Sequence, residues 1–219
     1  MNIDFSSLLP YIPLFFKGLL ITIGFSLVTV LFGLLLGLPV ALGRLSPKKV
    51  LSAPAGAYIE IIRGTPSLLQ LYLIAYGIPI AFGVSMPIFL AGVLALSINS
   101  SAYVAEIIRS GIQAVDKGQM EAARSLGLSY GQTMRKVIIP QAIKNVLPAL
   151  GNEFVTIVKE SSIVSIIGIS DLMRVADIMK SQTFRIFEAL IFAAVLYFVV
   201  TFSLSKGLRK LEKRWKSHE

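Results

Sequence analysis

The sequence predicts an all-α integral membrane protein, a single domain over residues 1–219 with five transmembrane helices. Three observations lead to that class. Hydrophobic residues make up 55% of the chain and charged residues 15%, against about 45–50% and about 25% in soluble domains, and the mean hydropathy is +0.76. Long stretches lack Asp, Glu, Lys and Arg altogether. The basic residues, which give a net charge of +9, gather on alternate sides of those stretches. The composition excludes a disordered chain, and the absence of cysteine excludes a disulfide scaffold and a thiolate metal site.

A membrane helix needs about 20 mostly apolar residues to cross about 30 Å of hydrocarbon. Between Lys17 and Arg44 lie 26 charge-free positions, which place a first span over about 15–43. Between Arg63 and Glu106 lie 42, too many for one crossing. Gly77, Pro79, Gly83, Ser85 and Pro87 break that stretch into spans of about 64–82 and 87–108. The region 145–168 is apolar apart from Glu153, Lys159 and Glu160, and gives a fourth helix. The 17 positions between Glu188 and Lys206, with their flanks, give the fifth near 184–206. The start, MNIDFSSLLP, has no basic region, so no cleaved signal is expected.

With five spans, 15 of the 21 basic residues fall on one side: Arg44, Lys48 and Lys49, six from Arg109 to Lys144, and six from Lys206 to Lys216. Lys17, Arg174, Lys180 and Arg185 fall on the other. Cytoplasmic loops carry the excess of Lys and Arg, which puts the N-terminus outside and the C-terminus in the cytoplasm.

The loop of about 112–143 carries its own helix signals. Asp116 can cap a first short helix and Gly127 can end it. Ser129 with Gln132 three residues later has the capping-box spacing for a second. Pro140 suits entry into the next helix. The result is a helix–Gly–helix elbow on the cytoplasmic face.

Within this elbow Glu121-Ala122-Ala123, three residues, Gly127, nine residues and Val137-Ile138-Ile139-Pro140 closely resemble the EAA signature of bacterial ABC-importer permeases. The segments 58–79, 99–112 and 147–172 resemble the polar amino-acid permeases of the histidine, glutamine and arginine type, so the resemblance covers about 15–210. It implies a type I ABC-importer transmembrane-subunit fold in the bacterial inner membrane. It also implies a second permease subunit forming a homodimer, cytoplasmic ABC ATPase subunits, and an extracytoplasmic amino-acid-binding protein. Glu121, Ala122, Ala123 and Gly127 would couple to the ATPase. The chain has no G-x-x-x-x-G-K-[ST] run, so ATP and Mg are expected on the partner, with no cofactor on this chain.

Ionisable groups at membrane depth usually face the bundle interior or water. Glu153 and Glu160 are seven residues apart and share a helix face, with Asn152 and Lys159 as a neighbouring stripe. Ser97, Asn99, Ser100 and Ser101 lie near mid-depth of the third span. One reading lines a substrate cavity with these eight residues and lets Glu153 pair with an ammonium or guanidinium. The other ties Glu153, Lys159 and Glu160 into an internal network. Glu60/Arg63 and Glu106/Arg109 repeat at i,i+3 and read as ion pairs anchoring cytoplasmic span ends. Residues 170–182 suggest a short amphipathic helix on the outer surface, resting on lipid in the favoured reading or meeting the delivery protein in the other.

The basic tail adjoins a span and reads as lipid-facing, not as nucleic-acid binding. His218 is the single histidine, and no catalytic or metal constellation can be built on it. The leading function is an amino-acid importer permease. An ion-coupled secondary transporter or cation channel is the alternative, and an enzyme lacks a nucleophile–base pair.

Overall fold

The computed structural model describes residues 4–216; the expectations for the first three residues and for His218 lie outside them. A 3-10 turn, Phe5–Tyr11, leads into α1, Ile12–Leu45. Then come α2, Lys49–Arg63, α3, Ser67–Tyr72, and α4, Ile78–Phe82. The 26-residue α5, Ile88–Gln113, precedes the elbow helices α6, Lys117–Ser125, and α7, Tyr130–Thr133. The chain ends with α8, Ile139–Glu160, α9, Leu172–Thr183, and α10, Ile186–Lys216.

Among the described residues three helical stretches are long and apolar enough to cross a membrane: Phe5–Leu45, Ile88–Gln113 and Ile186–Lys213. Lys49–Arg63 and Ser67–Phe82 are apolar enough only as a pair, bent by 101° at a short break, which makes them a broken span or a re-entrant loop. The stretch expected as a span over 64–82 is the second arm of that pair. Pro66 fits the break, because proline excludes the helical conformation from the residue before it. α8 holds Lys144, Glu153, Lys159 and Glu160 among its 22 residues and is not among the helices apolar enough to count as a span by composition.

Two π-turns have a common cause. Leu73–Gly77 and Met134–Ile138 stand directly before Pro79 and Pro140. A proline has no N–H and its ring crowds the carbonyl four residues back, so the preceding turn widens. In each, the residue before the proline donates to the carbonyl five back: Ile78 to Leu73 and Ile139 to Met134.

α5 is the hub of the bundle, with α1 packed along it. A Cβ built on Gly37 would stand 2.7 Å from the Ser101 carbonyl, and one on Gly33 2.9 Å from Ser100 Oγ. Only hydrogen at these two positions lets the backbones approach so closely. The outward face of α1 and α10 is apolar and exposed: Leu20 is 71% exposed and Phe198 65%. In a membrane that surface meets acyl chains.

The helix expected over 170–182 forms as α9, with Asp171 accepting from Arg174 N at 2.9 Å. Its apolar face is inside the bundle, where Leu172, Val175 and Met179 pack with Phe15 and Ala189. The first turn is tied to α10 and α9: Asp4 N donates to Glu188 Oε1 of α10 at 2.9 Å, and Tyr11 Oη to Gln182 Oε1 of α9 at 2.8 Å. Hydrogen bonds from Ser6 hold the Asp4 carboxyl below its ordinary range.

Candidate functional site

The polar residues of α5 sit in the middle of the bundle, and each faces a different helix. Successive residues of an α-helix turn by about 100°, so a polar run near one level radiates outward. Ser97 Oγ donates to the Thr29 carbonyl of α1 at 3.2 Å. Asn99 Nδ2 donates to Gln70 Oε1 of α3 at 3.0 Å. Ser100 Oγ donates to Glu153 Oε1 of α8 at 3.0 Å. Ser101 Oγ shares a 2.6 Å hydrogen bond with Tyr58 Oη of α2. All four are buried. An unpaired polar group here would cost about 1–3 kcal/mol, so these bonds fix four neighbours around α5.

Gln70 carries the network across the break in the bent pair. Its Nε2 donates to the Ile62 carbonyl at 2.8 Å and to Thr65 Oγ1 at 2.8 Å. The Ile62 carbonyl in the last turn of α2 is thereby satisfied inside the protein, as a lipid environment requires.

Glu153 is 9% exposed. Apart from the bond from Ser100, its carboxylate makes no hydrogen bond or ion pair among the described residues. The other predicted cavity residues lie apart from it. Asn152 is exposed and lines a pocket of about 270 Å³ between α8 and α10, with Ser205 and Arg209. Lys159 is exposed and borders a groove of about 300 Å³ with Ser162, Met173 and Tyr197. Glu160 is half-buried. No ion pair joins Lys159 to Glu153 or Glu160, so the internal network does not form among the described residues. The structure thus joins Glu153 to Ser100, and it places Asn152 and Lys159 on other faces.

Of the two EIIR pairs, one is an ion pair. Arg109 Nε donates to Glu106 Oε2 at 2.9 Å, and its Nη2 contacts the second oxygen. Arg63 instead lies over the ring of Tyr103, 5.2 Å from its centroid. Sequence reasoning missed the Tyr103 and Gln70 contacts; the Gly64-Thr65-Pro66 run was the available sign of a break there.

The elbow forms as its local signals require. Asp116 Oδ1 accepts from Gly118 N at 2.8 Å and starts α6. The helix ends in a Schellman motif: Leu128 N donates to the Ala123 carbonyl at 3.2 Å and Gly127 N to Arg124 at 3.0 Å, with Gly127 at φ +86°. Ser129 and Gln132 close a capping box, Ser129 N to Gln132 Oε1 at 2.8 Å and Gln132 N to Ser129 Oγ at 3.3 Å. Ala123 turns into its own bundle, while Glu121, Ala122 and Gly127 are exposed. Leu126 is 84% exposed and Tyr130 62%. A rigid, capped turn therefore presents large apolar side chains outward, the form of a docking surface.

A bundle of long apolar helices with a capped elbow between its central helix and the next defines an all-helical membrane protein. Residues 30–217 match the binding-protein-dependent transport system inner membrane component, and the chain belongs to that family. It is 42% identical over 219 residues to the arginine transport system permease protein ArtQ of Bacillus subtilis, covering 100% of both chains. The probable glutamine ABC transporter permease protein GlnM of the same organism is 44% identical over 214 residues, 98% of each chain. A solved amino acid ABC transporter crystallised with histidines is 56% identical, with a TM-score of 0.94 over 98% of this chain and 100% of that one. The MetNI methionine ABC transporter in an inward-facing conformation is 21% identical, with a TM-score of 0.73 over 92% and 98%, and shares the fold.

Proposed function

We propose that this chain is the transmembrane subunit of an ATP-driven importer that carries a polar amino acid across a bacterial inner membrane. The elbow is the observation that carries the reading: a capped, outward-facing turn with Leu126 and Tyr130 exposed on a membrane protein with no nucleotide-binding loop. A separate cytoplasmic ATPase would seat Glu121, Ala122 and Gly127, bind ATP and Mg, and favour one of two bundle arrangements. ATP moves that equilibrium only as far as the ATPase's affinities for the two arrangements differ. The named relatives carry arginine and glutamine, and an extracytoplasmic binding protein would deliver the substrate here as well.

α8 completes five spans in this reading, with Glu153, its one buried charge, facing the bundle interior. An odd count puts the N-terminus outside and the C-terminus in the cytoplasm, in line with the basic residues. Two copies would form the path, with Glu153 supplying negative charge and Ser97, Asn99, Ser100 and Ser101 holding the helices that frame it. Asn152, Lys159 and Glu160 then serve the outer parts of that path. The test is uptake of labelled arginine and glutamine by vesicles holding the permease, ATPase and binding protein. Accumulation should need internal ATP; ion-gradient-driven uptake without the ATPase would favour a secondary transporter.

A further inference from the structure

The break in the bent pair leaves a cation without an anion. Arg63 is the last residue of α2, exposed, and no carboxylate lies within 4 Å of it among the described residues. The nearby Glu106 is engaged by Arg109. Stacking on Tyr103 covers one face of the guanidinium, yet its N–H donors lie in the plane and remain open to a bidentate carboxylate. Its place is well fixed: Gln70 clamps the break just beyond it, and Asn99, one turn from Tyr103 on α5, holds Gln70.

The missing charge is held against the same stretch of α5 by Ser100. Tyr103 is three residues from Ser100, and side chains at that spacing are about 5–6 Å apart at Cβ. Ser100 holds Glu153 at 3.0 Å. Arg63 and Glu153 therefore both stand beside one turn of α5. A bare cation drawn to Glu153 would be repelled by Arg63. A small zwitterion satisfies both.

We propose that Arg63 receives the carboxylate of an α-amino-acid substrate whose cationic group is held by Glu153. This rests on the amino-acid reading above and adds what that reading lacks, a receptor for the group that all α-amino acids share. The side chain of the substrate is left to other contacts, which suits a family whose members carry both basic and neutral amino acids.

The experiment is direct binding to the permease–ATPase complex in detergent. The ligands are labelled arginine and glutamine, each set against its decarboxylated amine, agmatine and 4-aminobutanamide. In the unmodified complex the amine should bind about 10- to 100-fold more weakly, as expected for losing a charge-assisted bond. In Arg63→Gln that gap should shrink to within about threefold, while Glu153→Gln should weaken acid and amine together and keep the gap. A gap that persists in Arg63→Gln overturns the assignment of Arg63 and leaves the amino-acid reading intact. Failure of the unmodified complex to bind either amino acid overturns both. If Arg63→Gln does not assemble, Arg63→Lys carries the test: the charge stays, the bidentate fork is lost, and the gap should narrow. An unchanged gap in that variant contradicts the proposal.

Discussion

Substituting Gly127→Asp is expected to abolish ATP-driven uptake while leaving the permease in the membrane at its normal level. Gly127 sits at φ +86°, where its N–H and that of Leu128 close the end of α6. A side chain there costs roughly 1–2 kcal/mol of backbone strain, and aspartate adds a charge on the exposed face of the elbow. The elbow lies outside the helical core, so insertion should survive. Gly127→Asn is the informative companion, because asparagine and aspartate both tolerate the left-handed region and only aspartate adds the charge. It should retain partial uptake. Uptake by Gly127→Asp at the unmodified rate, with equal membrane levels, would remove the elbow from the energy path. Replacing Glu121, exposed on the same helix, should lower uptake without changing the fold.

Substituting Glu153→Gln should weaken handling of a basic amino acid by about 10- to 100-fold, the loss expected when a charged hydrogen-bond partner becomes neutral. Glutamine keeps the acceptor that Ser100 uses, so the local packing should hold. Removing a charge from a site only 9% exposed should leave the bundle as stable or more so. Uptake and thermal unfolding, measured on one preparation, separate the two effects. A folded Glu153→Gln protein that takes up arginine undiminished would falsify the pairing of this carboxylate with substrate.

The elbow was almost wholly legible in the sequence, because each of its signals acts within one turn. Asp116, Gly127 and the Ser129–Gln132 pair need no distant partner to define their geometry. The apolar spans were legible for a similar reason, since hydrocarbon thickness sets a length that can be counted. The break in the bent pair was not, although Gly64 and Pro66 stood in the sequence. Its 101° bend depends on Gln70 reaching back to Ile62 and on Asn99 holding Gln70 from 29 residues away. The site was legible only in part. Period alone placed Glu153 and Glu160 on one face, but Ser100, 53 residues from Glu153, decides which neighbour that face meets. The polar run from Ser97 to Ser101 looked like one lining because residue type carries no direction. In the folded bundle its members point to four helices.

If energy enters through the elbow from a separate ATPase, the exposed face of the elbow must touch that ATPase. The chain has no cysteine, so Leu126→Cys introduces a single thiol at its 84% exposed position. A thiol-linked photo-cross-linker at that residue, activated in membranes holding the assembled transporter, should capture a nucleotide-binding subunit, identified by mass spectrometry. The yield should change when ATP is bound. Capture of lipid alone, or of no nucleotide-binding protein while uptake remains intact, would contradict the account.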